Sequence, residues 1–243
     1  MRLSGNKVLI TGATAGIGRA ILEEFLRLDN QIIAVGRNQD KLQKLAQLDN
    51  RIIPFRCDIA KKEDLDNLIL FVEQQHQDLN ILINNAGIQY NYHFLEEQHL
   101  VSKVEHEIEV NLIAPIKLIS LLLPTIQMNK NSAIVNVTSG LGLVPKMAAP
   151  VYCGTKAGLH IFSQSLRHQL DTVKVFEIIP PLVDTNMTKG RGSGKISPQQ
   201  LAKEFIQKFK RNQYEINIGK VKLLKLINRI SPSIASRIMK GNI

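Results

Sequence analysis

The chain is poor in cysteine and in aromatic residues. It has two cysteines, Cys57 and Cys153, no tryptophan, and only 5% aromatic residues in a length of 243. Two cysteines are too few for a disulfide framework, so we expect both to be free thiols. The scarcity of aromatic side chains argues against a stacking platform for nucleic-acid bases, and no nucleic-acid partner is expected.

Metal-ligand patterns and long apolar runs are also missing from the sequence. The six histidines form no HxxxH pair and no cluster with cysteine, so no metal site is expected. No segment approaches the uninterrupted apolar length of a membrane span, and the first residues lack the pattern of a secretory signal. We therefore expect a soluble protein of the cytoplasm.

Positive charge is concentrated in the last quarter of the chain. The net charge is +10, but residues 1–185 hold 18 Lys/Arg against 19 Asp/Glu, whereas residues 186–243 hold 13 against 2. This asymmetry indicates an anionic ligand or a membrane surface, or else a solvated basic face. Residues 220–239 place apolar and basic side chains at helical spacing. Peripheral membrane contact of this helix and packing against the protein body or a partner subunit both stay open.

Short apolar runs alternate with helical stretches along the chain. The runs KVLI, QIIAVG, RIIPF, ILIN, AIVNV, KVFEII and YEINIG predict six or seven strands. Strands that alternate with helices form βαβ units and a parallel sheet covered on both faces. Asn38 and Ser197 stand where two of the helices need N-caps. We predict one α/β domain over residues 1–243, a doubly wound three-layer α/β/α sheet with ligands at the carboxyl ends of its strands.

A glycine-rich segment, TGATAGIG, follows the first predicted strand. Its glycines Gly12, Gly16 and Gly18 allow a tight turn in which backbone N–H groups approach a pyrophosphate at the start of the next helix. Arg37 follows the second strand, where an acidic residue would bind the ribose hydroxyls of NAD. A guanidinium there suits a 2′-phosphate, so these residues favour NADP(H), with NAD(H) as the alternative.

Polar residues also stand where later strands should end. They are Asp58 in CDIA, the asparagines of NNAG, and Ser139 in VTSG, and each one alone could be a helix cap or a turn residue. Tyr152 precedes Lys156 by four residues, so the two side chains share a face if the segment is helical. The spacing alone does not distinguish an acid/base pair from surface residues. The order in which all these motifs occur carries more weight.

Taken together, the motifs resemble one family. TGATAGIG, Asp58, NNAG, Asn111, Ser139, YCGTK and PPLVDT follow one another over essentially the whole chain. The sequence thereby resembles the short-chain dehydrogenase/reductase (SDR) family and, within it, the DltE-like oxidoreductases. The resemblance implies a Rossmann fold and an enzyme that moves hydride between a nicotinamide cofactor and a carbonyl/alcohol substrate, and Arg37 favours NADP(H) as that cofactor. It also implies a homodimer or homotetramer, formed through the two long helices that hold Asn111 and Tyr152.

The resemblance implies a role for each matching residue. Tyr152 is the general acid in reduction and the base in oxidation, and Ser139 hydrogen-bonds the substrate oxygen. Lys156 binds the nicotinamide ribose and lowers the pKa of the phenol, while Asn111 holds a water that links Lys156 to solvent. The residues implied to bind the cofactor are Gly12, Thr14, Gly16, Ile17, Gly18, Arg37, Asp58, Ile59, Asn85, Ala86, Gly87, Tyr152, Lys156, Pro180, Val183 and Thr185.

The chain departs from the family pattern after the sixth strand. Pro180 and Pro181 stand where a proline and a glycine are usual, and the second proline stiffens this turn and forbids a positive φ at its position. Residues 186–213 are predicted to include a substrate loop or lid, because their first part is rich in glycine, lysine and serine.

The expected substrate is a small carbonyl or alcohol with an apolar body. The residues predicted to surround it are Ile88, Leu141, Leu143, Met147, Leu182 and Met187, and those that could bind an anionic group are Lys189, Arg191 and Lys195. Two other functions stay open. One is a catalytically silent nicotinamide-binding regulatory protein, and the other is an epimerase of the same family, which would use the same groups.

Overall fold

The structure is a computed structural model and describes residues 1–240. One parallel sheet forms its centre. Its strands are β1 Lys7–Thr11, β2 Gln31–Gly36, β3 Ile52–Arg56, β4 Ile81–Asn84, β5 Ala133–Val137, β6 Lys174–Ile179 and β7 Glu215–Asn217. The order across the sheet is β3-β2-β1-β4-β5-β6-β7, and every neighbouring pair is parallel. The winding reverses between β1 and β4, so the carboxyl ends of these two strands open onto one crevice.

Helices connect the strands and cover both faces of the sheet. They are α1 Gly16–Arg27, α2 Gln39–Ala46, α3 Lys62–Gln75, α4 Leu100–Ile108, α5 Ala114–Gln127, α6 Pro150–Gln169, α7 Pro198–Lys210, α8 Val221–Ile230 and α9 Pro232–Lys240. The two predicted N-caps are confirmed. Asn38 Oδ1 accepts from the N–H of Lys41 at 2.8 Å, and Ser197 Oγ accepts from the N–H of Gln200 at 3.1 Å.

The core lies in two layers, one on each face of the sheet. One layer packs α1 and α7 on the sheet through the side chains of Phe25 and Phe205, and the other packs α3 and α5 through Leu65 and Leu118. Because both faces are covered, the central strands are buried and mostly apolar, with Asn84, Asn136 and Glu177 among the buried polar exceptions. The predicted doubly wound three-layer fold is confirmed. Residues 241–243 of the predicted domain lie outside the described residues.

The two cysteines lie apart, in different elements of the fold. Cys57 follows β3 and Cys153 lies in α6, and both are buried free thiols, as predicted. Within residues 1–240, no group of three His, Cys, Asp or Glu side chains stands close enough together to hold a metal ion.

One helical stretch is more apolar than the sequence analysis anticipated. Residues Leu100–Gln127, which run from α4 to α5, are long and apolar enough to cross a membrane by length and composition. The expectation that no such segment exists was therefore wrong. The apolar side chains of Leu118 and Leu122 are fully buried against the sheet. This stretch accordingly packs as a core helix of the α/β fold.

The C-terminal helices pack on the turn that follows β5. A Cβ atom at Gly140 would lie 3.6 Å from Val221 Cγ2 and 3.7 Å from Leu224 Cδ2, so α8 covers this turn. Ser231 separates α8 from α9, which begins at Pro232. Most of the apolar side chains that were expected to form a stripe face outward: the exposed ones in α8 and α9 are Leu223, Leu226, Ile230, Ile234 and Ile238.

Candidate active site

The glycine-rich loop between β1 and α1 follows a path that requires glycine. Gly12 and Gly16 have φ angles of +67° and +55°, which side chains other than hydrogen disfavour. A Cβ at Gly12 would also lie only 2.9 Å from Nδ2 of Asn85, and this amide nitrogen donates to the carbonyl of Thr11 at 2.9 Å. The loop therefore permits the close backbone approach that a pyrophosphate needs.

Thr11 joins the carboxyl ends of the two strands at the crevice. Its Oγ1 accepts hydrogen bonds from the N–H groups of Asn85 at 3.0 Å and Ala86 at 3.1 Å. These two residues belong to the NNAG segment after β4. The carboxyl ends of β1 and β4 therefore bring the glycine loop and NNAG together in one surface. The sequence predicted that both segments bind the cofactor.

Asn111 lies in a π turn, Glu109–Ile113, between α4 and α5. Its Nδ2 donates to the carbonyl of Ile88 at 2.8 Å, and its Oδ1 accepts from the N–H of Ile88 at 2.9 Å. A Cβ at the preceding Gly87 would lie 3.1 Å from Asn111 Oδ1 and 3.5 Å from Lys156 Nζ. The sequence analysis expected Asn111 within a continuous helix, and nothing in the sequence marks the π turn. Such turns widen a helix and occur often at functional sites.

Tyr152 and Lys156 lie one turn apart on α6, on the same face. Both are buried, with exposed fractions of 8% and 4%, and Lys156 Nζ lies 5.8 Å from the centre of the tyrosine ring. The ammonium donates to the carbonyl of Val137, the last residue of β5, at 2.9 Å. Ser139, two residues further, caps a short 3₁₀ turn, with its Oγ accepting from the N–H of Leu141 at 3.1 Å. The end of β5 therefore brings the serine, the phenol and the ammonium together.

The pKa of Tyr152 is raised rather than lowered. Burial raises it to about 12, while a hydrogen bond with the Ser139 side chain and the positive charge of Arg191 act in the opposite direction. The resemblance implied a phenol pKa lowered by Lys156. Burial lowers the pKa of this lysine in turn, to about 8. The phenol is therefore neutral at pH 7 and able to donate a proton.

Arg37 and Thr14 lie on the side of the glycine loop that faces β2. A Cβ at Gly36 would lie 3.1 Å from Thr14 Cγ2, so the end of β2 packs directly against the loop. Arg37 follows at once and is exposed. Its guanidinium forms no ion pair within the described range 1–240. Ile17 and Gly18 belong to the first turn of α1, beside the same loop.

Asp58 and Ile59 follow the next strand outward, β3. The Asp58 carboxylate accepts from the N–H of Ala60 at 3.2 Å, and its own N–H donates to the Asp64 carboxylate at 2.7 Å. Ile59 is buried in the core layer that contains α3. These hydrogen bonds are those of a turn before a helix, so the carboxylate of Asp58 also serves to fix the local backbone.

The chain after β6 returns to the glycine loop. The carbonyl of Pro180 accepts from the N–H of Gly140 at 3.0 Å, which ties this segment to the turn next to Ser139. Thr185 lies against the glycine loop, because a Cβ at Gly16 would come within 3.1 Å of Thr185 Cγ2. The cofactor-binding residues predicted here therefore lie at the same crevice as those after β1 and β4.

The predicted lid region 186–213 is only partly a loop. Val183 and Ile196 form a bridge, which closes the base of an excursion over residues 184–195. Residues 198–210 form α7, whose Phe205 and Phe209 are fully buried. The predicted region therefore extends too far, since its second part is a core helix.

A family model of short chain dehydrogenases matches residues 6–195. The chain belongs to the short-chain dehydrogenase family. It is 37% identical, over 233 residues, to the uncharacterized oxidoreductase DltE of Bacillus subtilis (strain 168), which covers 93% of this chain and 92% of that protein. The DltE-like resemblance inferred from the motifs is thereby confirmed.

Solved short-chain dehydrogenases share the whole fold. The enzyme of Burkholderia cenocepacia J2315, in complex with NADP, has a TM-score of 0.89 at 22% identity and covers 100% of both chains. That of Burkholderia phymatum, in complex with NAD, has a TM-score of 0.86 at 18% identity, with 100% of this chain and 99% of that chain covered. At these identities the likeness establishes the Rossmann-type short-chain dehydrogenase fold.

A buried carboxylate in contact with a histidine, near the short-chain dehydrogenase residues, was not predicted. Glu177 of β6 is fully buried, and its carboxylate lies 2.8 Å from Nδ1 of His160 and accepts from the hydroxyl of Thr138 at 2.6 Å. Burial lowers the pKa of Lys156, and the negative charge of Glu177 partly opposes this effect. The signal in the sequence was the single carboxylate inside the apolar run KVFEII.

Proposed function

We propose that the chain is an NADP(H)-dependent oxidoreductase that transfers hydride between a nicotinamide and a carbonyl/alcohol substrate, with Tyr152 as the general acid/base. The observation that carries this proposal is the buried grouping of Tyr152, Lys156 and Ser139 at the end of β5, beside a glycine loop that admits a pyrophosphate. When bound, the cofactor supplies or accepts the hydride. The chain supplies the proton and the orientation.

In the direction of reduction, Tyr152 donates its phenolic proton to the carbonyl oxygen, which Ser139 holds by a hydrogen bond. The phenol is protonated at neutral pH because burial raises its pKa to about 12. The phenolate that results is stabilised by the ammonium of Lys156 on the same helix face. In the direction of oxidation, the same phenolate takes the proton from the alcohol.

The cofactor preference rests on Arg37. Its exposed guanidinium stands beside the glycine loop, where a 2′-phosphate is the expected partner. The solved relatives in complex with NADP and with NAD support a nicotinamide dinucleotide as the cofactor. The residues that would hold it are those at the ends of β1, β2, β3, β4 and β6, together with Tyr152 and Lys156.

The first test is a fluorescence titration of the protein with NADPH and NADH, followed by a panel of carbonyl substrates. We expect NADPH to bind more tightly, and we expect Arg37→Asp to reverse this order because a carboxylate repels the 2′-phosphate. Tyr152→Phe should bind NADPH as the wild type does and lose turnover by a factor on the order of 100 or more.

Three outcomes would contradict parts of this proposal. Equal binding of both cofactors would remove the role of Arg37, and undiminished turnover by Tyr152→Phe would remove the acid/base role. Cofactor binding without turnover on a broad panel would favour the silent regulatory protein. A failure to bind either cofactor would overturn the proposal as a whole.

The substrate and the assembly are part of the same proposal. Leu141, Leu143 and Leu182 are half-buried around the site, which supports a carbonyl compound with an apolar body. Exposed apolar residues on the helices that hold Asn111 and Tyr152 support a homodimer or homotetramer. The proposed location is the cytoplasm. A vesicle-binding assay tests whether the outward apolar and basic face of α8 binds an anionic membrane.

A further inference from the structure

The excursion over residues 184–195 carries three cations with different surroundings. Lys195 Nζ donates to the carbonyl of Thr188 at 2.6 Å and lies 3.6 Å from the carboxylate of Asp184, so its charge already has partners. Lys189 is exposed to solvent. Arg191 is only partly exposed, and the surroundings of its guanidinium hydrogen-bond donors differ from those of both lysine ammonium groups.

Arg191 holds a shielded hydrogen-bond donor without an acceptor. Its Nη1 is buried from solvent and has no hydrogen-bond partner among residues 1–240. The backbone at Arg191 is held in a turn, because its N–H donates to the carbonyl of Thr188 at 3.0 Å. Gly190 and Gly192 on either side have φ angles of +76° and +54°, which a side chain would disfavour. A buried donor of this kind is costly unless a ligand supplies the acceptor.

The loop that carries Arg191 adjoins the segment that holds the reacting groups. A Cβ at Gly192 would lie 2.6 Å from Leu182 Cδ2, so the loop tip packs on the chain that follows β6. In that chain, the carbonyl of Pro180 accepts from the N–H of Gly140, the residue after Ser139, at 3.0 Å. The positive charge of Arg191 also opposes part of the increase that burial causes in the pKa of Tyr152. An apolar side chain and a cation with an unpartnered donor therefore lie on a loop that adjoins the site.

We propose that Arg191 binds an anionic group of the substrate, a carboxylate or a phosphate, so that the enzyme acts on oxo and hydroxy acids or their phosphorylated counterparts. This inference rests on the proposed oxidoreductase function. A guanidinium binds either anion through two parallel hydrogen bonds. The 13 Lys/Arg against 2 Asp/Glu after residue 185 add a field that attracts anions toward this side of the molecule.

The first experiment compares matched substrates in the NADPH-loaded protein. The pairs are 4-oxopentanoate with its methyl ester, for the carboxylate, and dihydroxyacetone phosphate with dihydroxyacetone, for the phosphate. We expect wild type to prefer the charged member of one pair in kcat/KM by about 10- to 100-fold. Arg191→Gln should bring this ratio close to one, and Arg191→Lys should keep part of it. Lys203→Gln, which removes one exposed charge from the neighbouring helix α7, should leave it unchanged.

The second experiment measures binding without turnover. Tyr152→Phe loaded with NADPH is titrated with 4-oxopentanoate and with inorganic phosphate, and cofactor fluorescence is followed. We expect saturable binding of one anion that is about 10-fold weaker or more when Arg191→Gln is added. This measurement distinguishes the two proposals. Turnover of carbonyls by Tyr152→Phe would contradict the acid/base role, whereas the titration measures anion binding independently of turnover.

Three results would overturn the inference. One is an ester or an uncharged ketone that wild type uses as well as the acid or phosphate. Another is a charged-to-neutral ratio that Arg191→Gln leaves unchanged. The third is a large loss of NADPH affinity in Arg191→Gln with no effect on anion binding, which would mean that the guanidinium serves the cofactor.

Discussion

The buried ammonium of Lys156 is destabilising for the fold in the protein without cofactor. Burial lowers its pKa from 10.5 to about 8, a change that corresponds to about 3 kcal/mol. One hydrogen bond, to the carbonyl of Val137, offsets part of this cost. A group kept at such a cost is typical of a site whose function competes with stability.

We predict that Lys156→Met raises the free energy of unfolding by about 1–3 kcal/mol at pH 7 and abolishes turnover. Below pH 8 the lysine is protonated in the folded and the unfolded chain, so wild type bears the full cost. Between pH 8 and 10.5 only the unfolded chain keeps the proton. Wild-type stability therefore rises relative to that of the variant over this range, and the advantage of Lys156→Met shrinks.

Urea unfolding at pH 7 and pH 10 checks this prediction. Lys189→Met is the matched control, because it removes the same charge from an exposed position and should change stability by less than about 0.5 kcal/mol. A variant Lys156→Met that is less stable than wild type at pH 7 would show that the ammonium contributes net stabilisation.

At the scale of elements, α6 packs closely on the turn after β5. A Cβ at Gly142 would lie 2.8 Å from the carbonyl carbon of Lys156 and 2.9 Å from its oxygen, so the backbones are in contact. Because α6 carries both Tyr152 and Lys156, this contact sets the distance between the acid/base pair and Ser139. The precision of the site depends on a glycine that touches no ligand.

We predict that Gly142→Ala displaces α6, lowers stability by about 1–3 kcal/mol and reduces kcat by about 10-fold or more. Gly154 provides the comparison on the same helix, because a Cβ there would meet nothing within 4 Å. Gly154→Ala should raise stability by about 1 kcal/mol and leave kcat unchanged, since alanine favours a helix. Urea unfolding and steady-state kinetics measure both, and equal effects of the two substitutions would contradict the role given to Gly142.

The sequence predicted the elements better than it predicted the site's polar surroundings. Strands, caps and the helical spacing of Tyr152 and Lys156 are local, so they can be recognised from period and from cap residues. The π turn at Asn111 leaves no local signal, because its residues suit an α-helix equally well. The pairing of Glu177 with His160 joins a strand to a helix and depends on the packing of the two.

The raised pKa of Tyr152 could not be predicted for a similar reason. The resemblance supplied the identity of the neighbouring charge but not the depth of burial, which is the larger cause. Glycine and lysine content marks the loop of the predicted lid region, and Ser197 marks the start of α7 within that region, whereas the burial of Phe205 and Phe209 depends on how α7 packs.

At the scale of the whole molecule, exposed apolar residues on α4, α5, α6 and the π turn before α5 are the ones we predict to form a subunit contact. They are Val101, Ile113, Leu121 and Ile161. Ile161 is 61% exposed, in the helix that carries Tyr152. Burial of these side chains between subunits would remove apolar area from water.

We predict a mass in solution of two or four times the 27.3 kDa of one chain. Ile161→Glu should shift it to that of a single chain, because a carboxylate would be buried in the interface without a partner. Ile234→Glu, on the exposed face of α9, is the control and should leave the mass unchanged. Light scattering decides this, and dissociation by Ile234→Glu alone would move the interface to the C-terminal helices.

The bridge between Val183 and Ile196 has a consequence for how new specificities arise. Val183 and Ile196 pair directly, so the ends of the excursion 184–195 stay together whatever the length of the chain between them. A change in loop length then costs little in closure entropy, since each doubling adds about 0.6 kcal/mol. The part of the excursion beyond Thr185 can therefore change in length and in its cations, Arg191 among them, while Thr185 keeps its contact with the glycine loop and α6 keeps the proton donor in place.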